Sequence, residues 1–254
     1  MVEFLDSSLR LFVMASEMCI GNDVVDLSTV EHQKTDRYCR RIFSPGEYKQ
    51  YVGECAATGR LFRGPKLSIS VEHPQNVSEQ TRIVCDPSVV WRAWAAKEAA
   101  FKMLRQAGIL EAFVPSRLTY CDRTSRIRYG NSVWPVRLSQ NDRLVSAVVS
   151  QFPRWESIVG EISTLTTVKP DLFCAAELKA GCLNWPLESV AVRVLAKQYL
   201  ARHFQCAPSD IEFSAPDKYS QPRGSICARR FDRGLSFSHD GRFAAVAISE
   251  LLLG

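Results

Sequence analysis

What this 254-residue chain lacks excludes several classes of protein. No apolar run reaches the ~18–20 residues that a membrane-spanning helix needs. Nine cysteines are present, but no Cys-x-x-Cys pair, so nothing in the spacing suggests a zinc site. Their odd number and the length of the chain also argue against a disulfide framework. The cysteines are expected to be reduced and mostly buried, as in a cytoplasmic protein. There is no glycine-rich loop of the kind that cradles nucleotide triphosphates. There is no dense basic stripe either. The net charge of +5 is modest, and the tightest basic groups are only Arg40-Arg41 and Arg229-Arg230. That balance suits an anionic ligand or an acidic partner, not a nucleic acid. The opening residues contain the apolar patch "LRLFVMA", yet Glu3 and Asp6 stand where a secretory leader would carry positive charge. This stretch reads as an extra helix or as sequence upstream of a start at Met18.

What is present suits a globular protein: 46% hydrophobic and 23% charged residues, in a chain long enough to bury a core. "MCIGNDVVDL" (18–27) reads as a strand carrying Asp23. Ser44, Pro45 and Glu47 have the spacing of a helix start with a capping box. Residues 57–83 are rich in Gly, Ser, Pro, Gln and Asn and read as an insertion, with "KLSISV" as one strand. Asp86-Pro87 starts the strongest helix, 88–106. "SRLTYC", "RIRYG", "RLVSAVVS" and "SIVGEIS" read as strands. A second long helix is predicted over 187–204, followed by strands at "DIEFS", "GSICAR" and "RFAAVAIS".

This order repeats. Lys97 in the first long helix falls opposite Lys197 in the second, and Lys102 opposite Arg202. Both helices lead into a Pro-Ser step and a strand. "SQNDRLVSAVVS" (139–150) lies over "SHDGRFAAVAIS" (238–249). Similar elements at a fixed separation signal an internal duplication. The repeat is lopsided. Glu98 falls opposite Gln198, and His239 opposite Gln140. Each copy keeps one ionisable group where the other has an amide, which suits one site shared between two halves. The halves are placed at 1–152 and 153–254.

Three motifs carry candidate chemistry: Gly21-Asn22-Asp23 on a strand, Lys97-Glu98-Ala99-x-x-Lys102 on a helix, and Ser238-His239-Asp240-Gly241 at a turn into a strand. Singly, each has an ordinary explanation. Glu98 and Lys102 are four apart and could form a surface ion pair. Asp23 could be a turn residue, and Asp240-Gly241 a hairpin. Together they suit transfer at a pyrophosphate. Asp23 and Glu98 can hold magnesium, which keeps several waters and accepts phosphate oxygens. Lys102, Ser238 and His239 can reach phosphates, and such reactions run mainly on positioning and charge neutralisation.

"IGNDVVDL", "WAAKEAAFK" and "SFSHDGRFAAVAI" resemble the three signatures of the 4'-phosphopantetheinyl transferase superfamily. Their order is that of the holo-acyl-carrier-protein synthase type. The length and duplication are similar to the surfactin-synthetase-activating type, and the Gly-Asn-Asp opening resembles a bacterial subgroup. The resemblance covers 18–56 and 86–250. It implies an α+β fold: two similar α/β halves, each a helix packed on an antiparallel sheet, related by a pseudo-twofold axis. It implies transfer of phosphopantetheine from coenzyme A to a serine of an acyl or peptidyl carrier protein, dependent on magnesium, or manganese in its place. By position, Asp23 and Glu98 resemble the metal ligands, and Glu98, Lys102 and Asp23 the catalytic set. Lys102, Ser238 and His239 resemble the residues that hold coenzyme A phosphates. "YSQPRG" (219–224) resembles a Gly-Lys-Pro stretch beside the adenine, with Pro222 retained and Arg223 in reach. The surfactin type's second acid falls at Val25, and Asp26 should face away from Asp23. Arg40 and Arg41 are either docking residues for an acidic carrier or plain helix surface, with Arg41 also a coenzyme A contact. The implied state is a monomer with one active site. Three other readings stay open: a different coenzyme A or nucleotide phosphotransferase, a homologue that binds coenzyme A or a carrier without turnover, and a structural α+β protein in which the motifs arise by chance.

Overall fold

A computed structural model describes residues 19–28, 36–58, 87–110, 112–151, 154–165, 172–214, 222–231, 233–249 and 252. The chain alternates helix and antiparallel sheet, an α+β fold. Strand β1 (Ile20–Asp26) is followed by helices α1 (Asp36–Ile42), α2 (Pro45–Thr58) and α3 (Pro87–Gln106). Four strands follow: β2 (Thr119–Cys121), β3 (Arg126–Tyr129), β4 (Ser132–Gln140) and β5 (Leu144–Ser150). They join β1 in a five-stranded sheet of order β1-β5-β4-β3-β2.

Strand β6 (Trp155–Glu161) opens the second region. Helices α4 (Ile162–Leu165), α5 (Ala175–Lys179) and α6 (Leu187–Phe204) come next. A small sheet holds β7 (Ile211–Phe213), β8 (Gly224–Ile226) and β9 (Arg229–Phe231). Another has the order β10-β11-β6, from β10 (Leu235–Asp240) and β11 (Phe243–Ser249).

The alternation of side chains along β1 and β11 stacks the layers. Gly21 lies against Ala99 of α3, and Val25 joins the α3 core with Val145, Ala147 and Val149 of β5. From the opposite face, Ile20 meets Val148 and Ala247, and Val24 meets Phe243 and Ala245. Ala244, Val246 and Ile248 of β11 point the other way, into the α6 core. The layers therefore run α3, first sheet, second sheet, α6. Strands β1 and β11 are both buried along their whole length. Helix α3 can lie close to β1 because its inner face is largely alanine, with Ala96, Ala99 and Ala100 fully buried. It ends at Gly108, whose positive φ of 72° lets the amides of Gly108 and Ile109 close on Arg105 and Leu104.

Most predicted elements are present, and three readings need correction. Strand β4 was not anticipated, because Pro135 sits within it. Pro135 pairs with Arg126 of β3 but lies beyond the last β5 pairing, Val136 with Val149, so the missing amide breaks no ladder there. Ser238 and His239 lie inside β10, ahead of the turn at Gly241, not at a turn into a strand. Among the described cysteines no disulfide forms, but burial is partial: Cys19, Cys39 and Cys182 are buried, while Cys227 is exposed. The segment before residue 19, the "KLSISV" strand and most of the 57–83 insertion lie outside the described residues. No helix among the described residues is long and apolar enough to cross a membrane.

Candidate active site

The free edge of β1 is where the two sheets meet, and the unpaired amides of that edge need acceptors. They find side chains. Ile20 N–H donates to Gln106 Oε1 (3.2 Å), Asn22 N–H to Ser236 Oγ (3.0 Å), Val24 N–H to Ser238 Oγ (3.1 Å) and Asp26 N–H to Asp240 Oδ2 (2.8 Å). Alternate residues of β10 thus serve alternate residues of β1. Gln106 completes the seam by donating to Leu235 O at 2.8 Å. At its end Asp26, wholly buried, accepts three hydrogen bonds from Arg242: two from the guanidinium (2.9 and 3.0 Å) and one from the backbone N–H (2.9 Å).

Asp23 projects from β1 toward α3 at this seam. Gly21 makes the approach feasible: a Cβ there would stand 1.8 Å from Ala99 O and 2.7 Å from Met103 N. One turn along α3, Lys102 Nζ donates to Asn22 O (3.0 Å) and to Asp23 Oδ1 (3.2 Å). The same ammonium is 3.4 Å from Glu98 Oε1, the pairing set by their four-residue spacing. Ser238 Oγ donates to Asp23 Oδ1 at 2.7 Å. Asp23 Oδ2 is buried and has no hydrogen-bond partner.

Burial is the largest influence on Asp23. It pushes the carboxyl up to about 7, with the Glu98 charge adding and Lys102 and Ser238 opposing. Burial also weighs against charge on Lys102, but Asp23 and Glu98 outweigh it and raise that ammonium above its usual range. Burial and the Lys102 charge hold His239 below its usual range, against the pull of Glu188, Asp240 and Glu98. The neutral imidazole is thereby favoured.

The structure brings Asp23, Glu98, Lys102 and Ser238 into contact. His239, next to Ser238 on β10, is exposed and feels the Lys102 and Glu98 charges without a hydrogen bond to either. Lys97, next to Glu98 in sequence, points the other way into the core and pairs with Glu47 at 2.6 Å. Asp26 is committed to Arg242 and Val25 to the core, so neither joins Asp23. Arg223 is exposed beside half-buried Pro222, on a cleft of about 480 Å³ that it lines with Ser214, Ser225, Arg230 and Glu212. Arg41 is exposed on α1, and Arg40 lies over the Tyr48 ring at 4.3 Å. Among the described residues, no hydrogen bond or ion pair ties Arg41, Pro222 or Arg223 to the Asp23 cluster. Sequence reasoning missed Gln106, Ser236 and the Asp26–Arg242 joint. Alternation of polar residues along "LSFSHD" was the available signal for Ser236.

No group of three or more His, Cys, Asp or Glu side chains gathers as a metal site among the described residues. The pair that is present still fits a hard cation. Two carboxylates converge on one ammonium, and the orphaned buried Oδ2 of Asp23 is an oxygen ligand without a partner.

No curated protein matches the chain. A sequence model of the 4'-phosphopantetheinyl transferase superfamily matches residues 19–131, the segment that carries β1, Asp23, α3, Glu98 and Lys102. Over residues 19–131 the chain is therefore similar to the 4'-phosphopantetheinyl transferase superfamily.

Proposed function

We propose that the chain transfers the 4'-phosphopantetheine arm of coenzyme A to a serine of an apo acyl or peptidyl carrier protein, releasing adenosine 3',5'-bisphosphate. The observation that carries this reading is Lys102 held between Asp23 and Glu98 at a seam where Ser238 also bonds Asp23. Asp23 and Glu98 would hold magnesium, or manganese, which when bound neutralises charge on the pyrophosphate and orients it. The carrier serine oxygen attacks the phosphorus that bears pantetheine. A new P–O bond forms to serine, and the bond to the oxygen of the bisphosphoadenosine leaving group breaks. Glu98, or a water it orients, takes the serine proton. Lys102 offsets charge on the transferring phosphate. His239 donates to a further phosphate oxygen. Arg223 and Arg230, which line the separate cleft beside β7–β9, would take the anionic adenosine end.

The same reading takes the chain as a duplicated unit, with halves at 1–152 and 153–254 and one site per monomer. Its support is the likeness of register. Ile20 to Asp26 pair with Ser150 to Leu144, and Trp155 to Glu161 pair with Ser249 to Phe243. Two ion pairs also cross between the halves in reciprocal fashion, Arg143 with Glu161 and Arg242 with Asp26. Such exchange is the mark of an isologous contact. The mirror of Asp23 is then Ile158, and the second site lacks its acid.

The test is release of adenosine 3',5'-bisphosphate from coenzyme A, followed by chromatography. It should require both a divalent cation and a carrier that keeps its acceptor serine. Release at the same rate with a serine-to-alanine carrier would show hydrolysis instead of transfer.

A further inference from the structure

The seam assigns Ser238 a task different from gripping a phosphate. Its hydroxyl is buried, 4% exposed, and has one proton to give. That proton goes to Asp23 Oδ1 at 2.7 Å, while its lone pairs accept the Val24 amide at 3.1 Å. Nothing is left to donate to a phosphate oxygen. Ser236, two residues earlier, makes the same kind of bond to β1 through Asn22 N–H at 3.0 Å, but no hydrogen bond joins it to Asp23. The two serines share the seam and differ in the carboxylate.

We propose that Ser238 is a positioning residue for the Asp23 carboxylate. It holds Oδ1 from the second half of the chain so that the unpartnered Oδ2 is presented to the cation. The inference rests on the metal role of Asp23 and Glu98 proposed above. Lys102 also touches Oδ1, but from a helix of the same half and with a side chain 25% exposed. Only the serine ties the carboxylate rigidly to β10. Partners that orient a metal ligand typically alter metal affinity about 10–100-fold when removed.

The experiment measures Mn2+ affinity by the electron paramagnetic resonance signal of the free ion, and coenzyme A affinity by calorimetry without divalent metal. Wild-type protein is measured first. If it does not bind Mn2+, the metal reading itself fails, and this inference with it. Given binding, Ser238→Ala should weaken Mn2+ about 10–100-fold and leave metal-free coenzyme A affinity within about twofold. Ser236→Ala loses the matching bond to a β1 amide and should also lower the melting temperature, yet keep Mn2+ affinity within about twofold. Ser238→Cys retains a weak donor and should fall between wild type and alanine; it also serves if the alanine variant does not fold. Three results overturn the proposal: wild-type Mn2+ affinity in the Ser238 variants, an equal loss in Ser236→Ala, or a loss confined to coenzyme A.

Discussion

The two long helices hold one structural device in common and differ in everything chemical. On α3, Lys97 is fully buried, donates to Ile42 O (2.8 Å) and pairs with Glu47 Oε2 (2.6 Å). On α6, Lys197 is fully buried, donates to Pro208 O (3.2 Å) and Ile211 O, and pairs with Glu177 Oε2 (2.7 Å). Each glutamate belongs to a preceding helix, and its other oxygen accepts a strand amide: Tyr120 N–H (2.7 Å) in one case, Phe213 N–H (3.0 Å) in the other. Helix, preceding segment and strand are thus pinned by one buried pair in each half. One residue further along, the likeness ends. Glu98 faces the seam with Lys102, where α6 has Gln198 and Arg202. The lysine of the Lys-Glu motif is therefore architectural here, and the glutamate beside it is the one that reaches the seam, where we propose it acts.

That contrast can be broken from the structural side first. Lys97→Met strands Glu47 as an unpaired buried charge and should cost about 3–5 kcal/mol. Lys197→Met should cost about as much, since Glu177 is equally enclosed. Urea titration of both variants checks this, and a loss in one half only would show that the two pairs are not equivalent. Replacing both members of a pair by apolar residues should be markedly milder.

Gly21→Ala places a methyl into the α3 backbone and should exceed the ~1–3 kcal/mol of ordinary overpacking, displacing Asp23 from Lys102. Gly160→Ala in β6 meets only Leu195 and Leu165 side-chain ends at 3.3–3.4 Å, which can shift, so its melting temperature should stay close to wild type.

Chemistry comes next. Glu98→Gln gives the first half the amide of the second. It should reduce transfer at least ~10²-fold, the scale of a lost general base, with an unchanged melting temperature. The reverse change, Gln198→Glu, should create no second activity, because in the proposed duplication Ile158 takes the place of Asp23.

The smallest effect concerns pH. Arg242 hydrogen bonds hold the Asp26 carboxyl well below the usual carboxylate range, although burial opposes them. Its ionised form is thus favoured by the fold, and the stabilisation is complete above the unfolded value of about 4. It is lost as pH falls below that value toward the depressed folded one. Thermal melts from pH 6 downward should show a steeper fall in wild type than in Asp26→Asn. Parallel curves would mean that this joint does not contribute.

The sequence was most legible where chemistry and local spacing coincide. Glu98 and Lys102 share a helix face by their interval alone, and Glu47 declares itself as a capping-box residue with Ser44, realised here at 2.7 Å from Ser44 N–H. Both long helices lack internal breakers and were readable to within a residue. The seam was not legible, because its bonds join positions more than 200 residues apart: Asn22 to Ser236, Val24 to Ser238, Asp26 to Arg242. Nor was Glu177, whose helix α5 spans only Ala175–Lys179 and offers no periodicity to detect. Ser238 shows the limit from the other side. The motif identified the residue, but only the geometry of Asp23 Oδ1 and Val24 N–H shows where its hydroxyl is spent.

The most direct measurement is the intact mass of an apo carrier protein after incubation with this chain, coenzyme A and Mg2+. If the proposed transfer holds, each carrier gains one phosphopantetheine with the wild-type chain, and Glu98→Gln leaves the carrier apo over the same period. A carrier that another phosphopantetheinyl transferase converts but this chain leaves unmodified, or full conversion by Glu98→Gln, would contradict it.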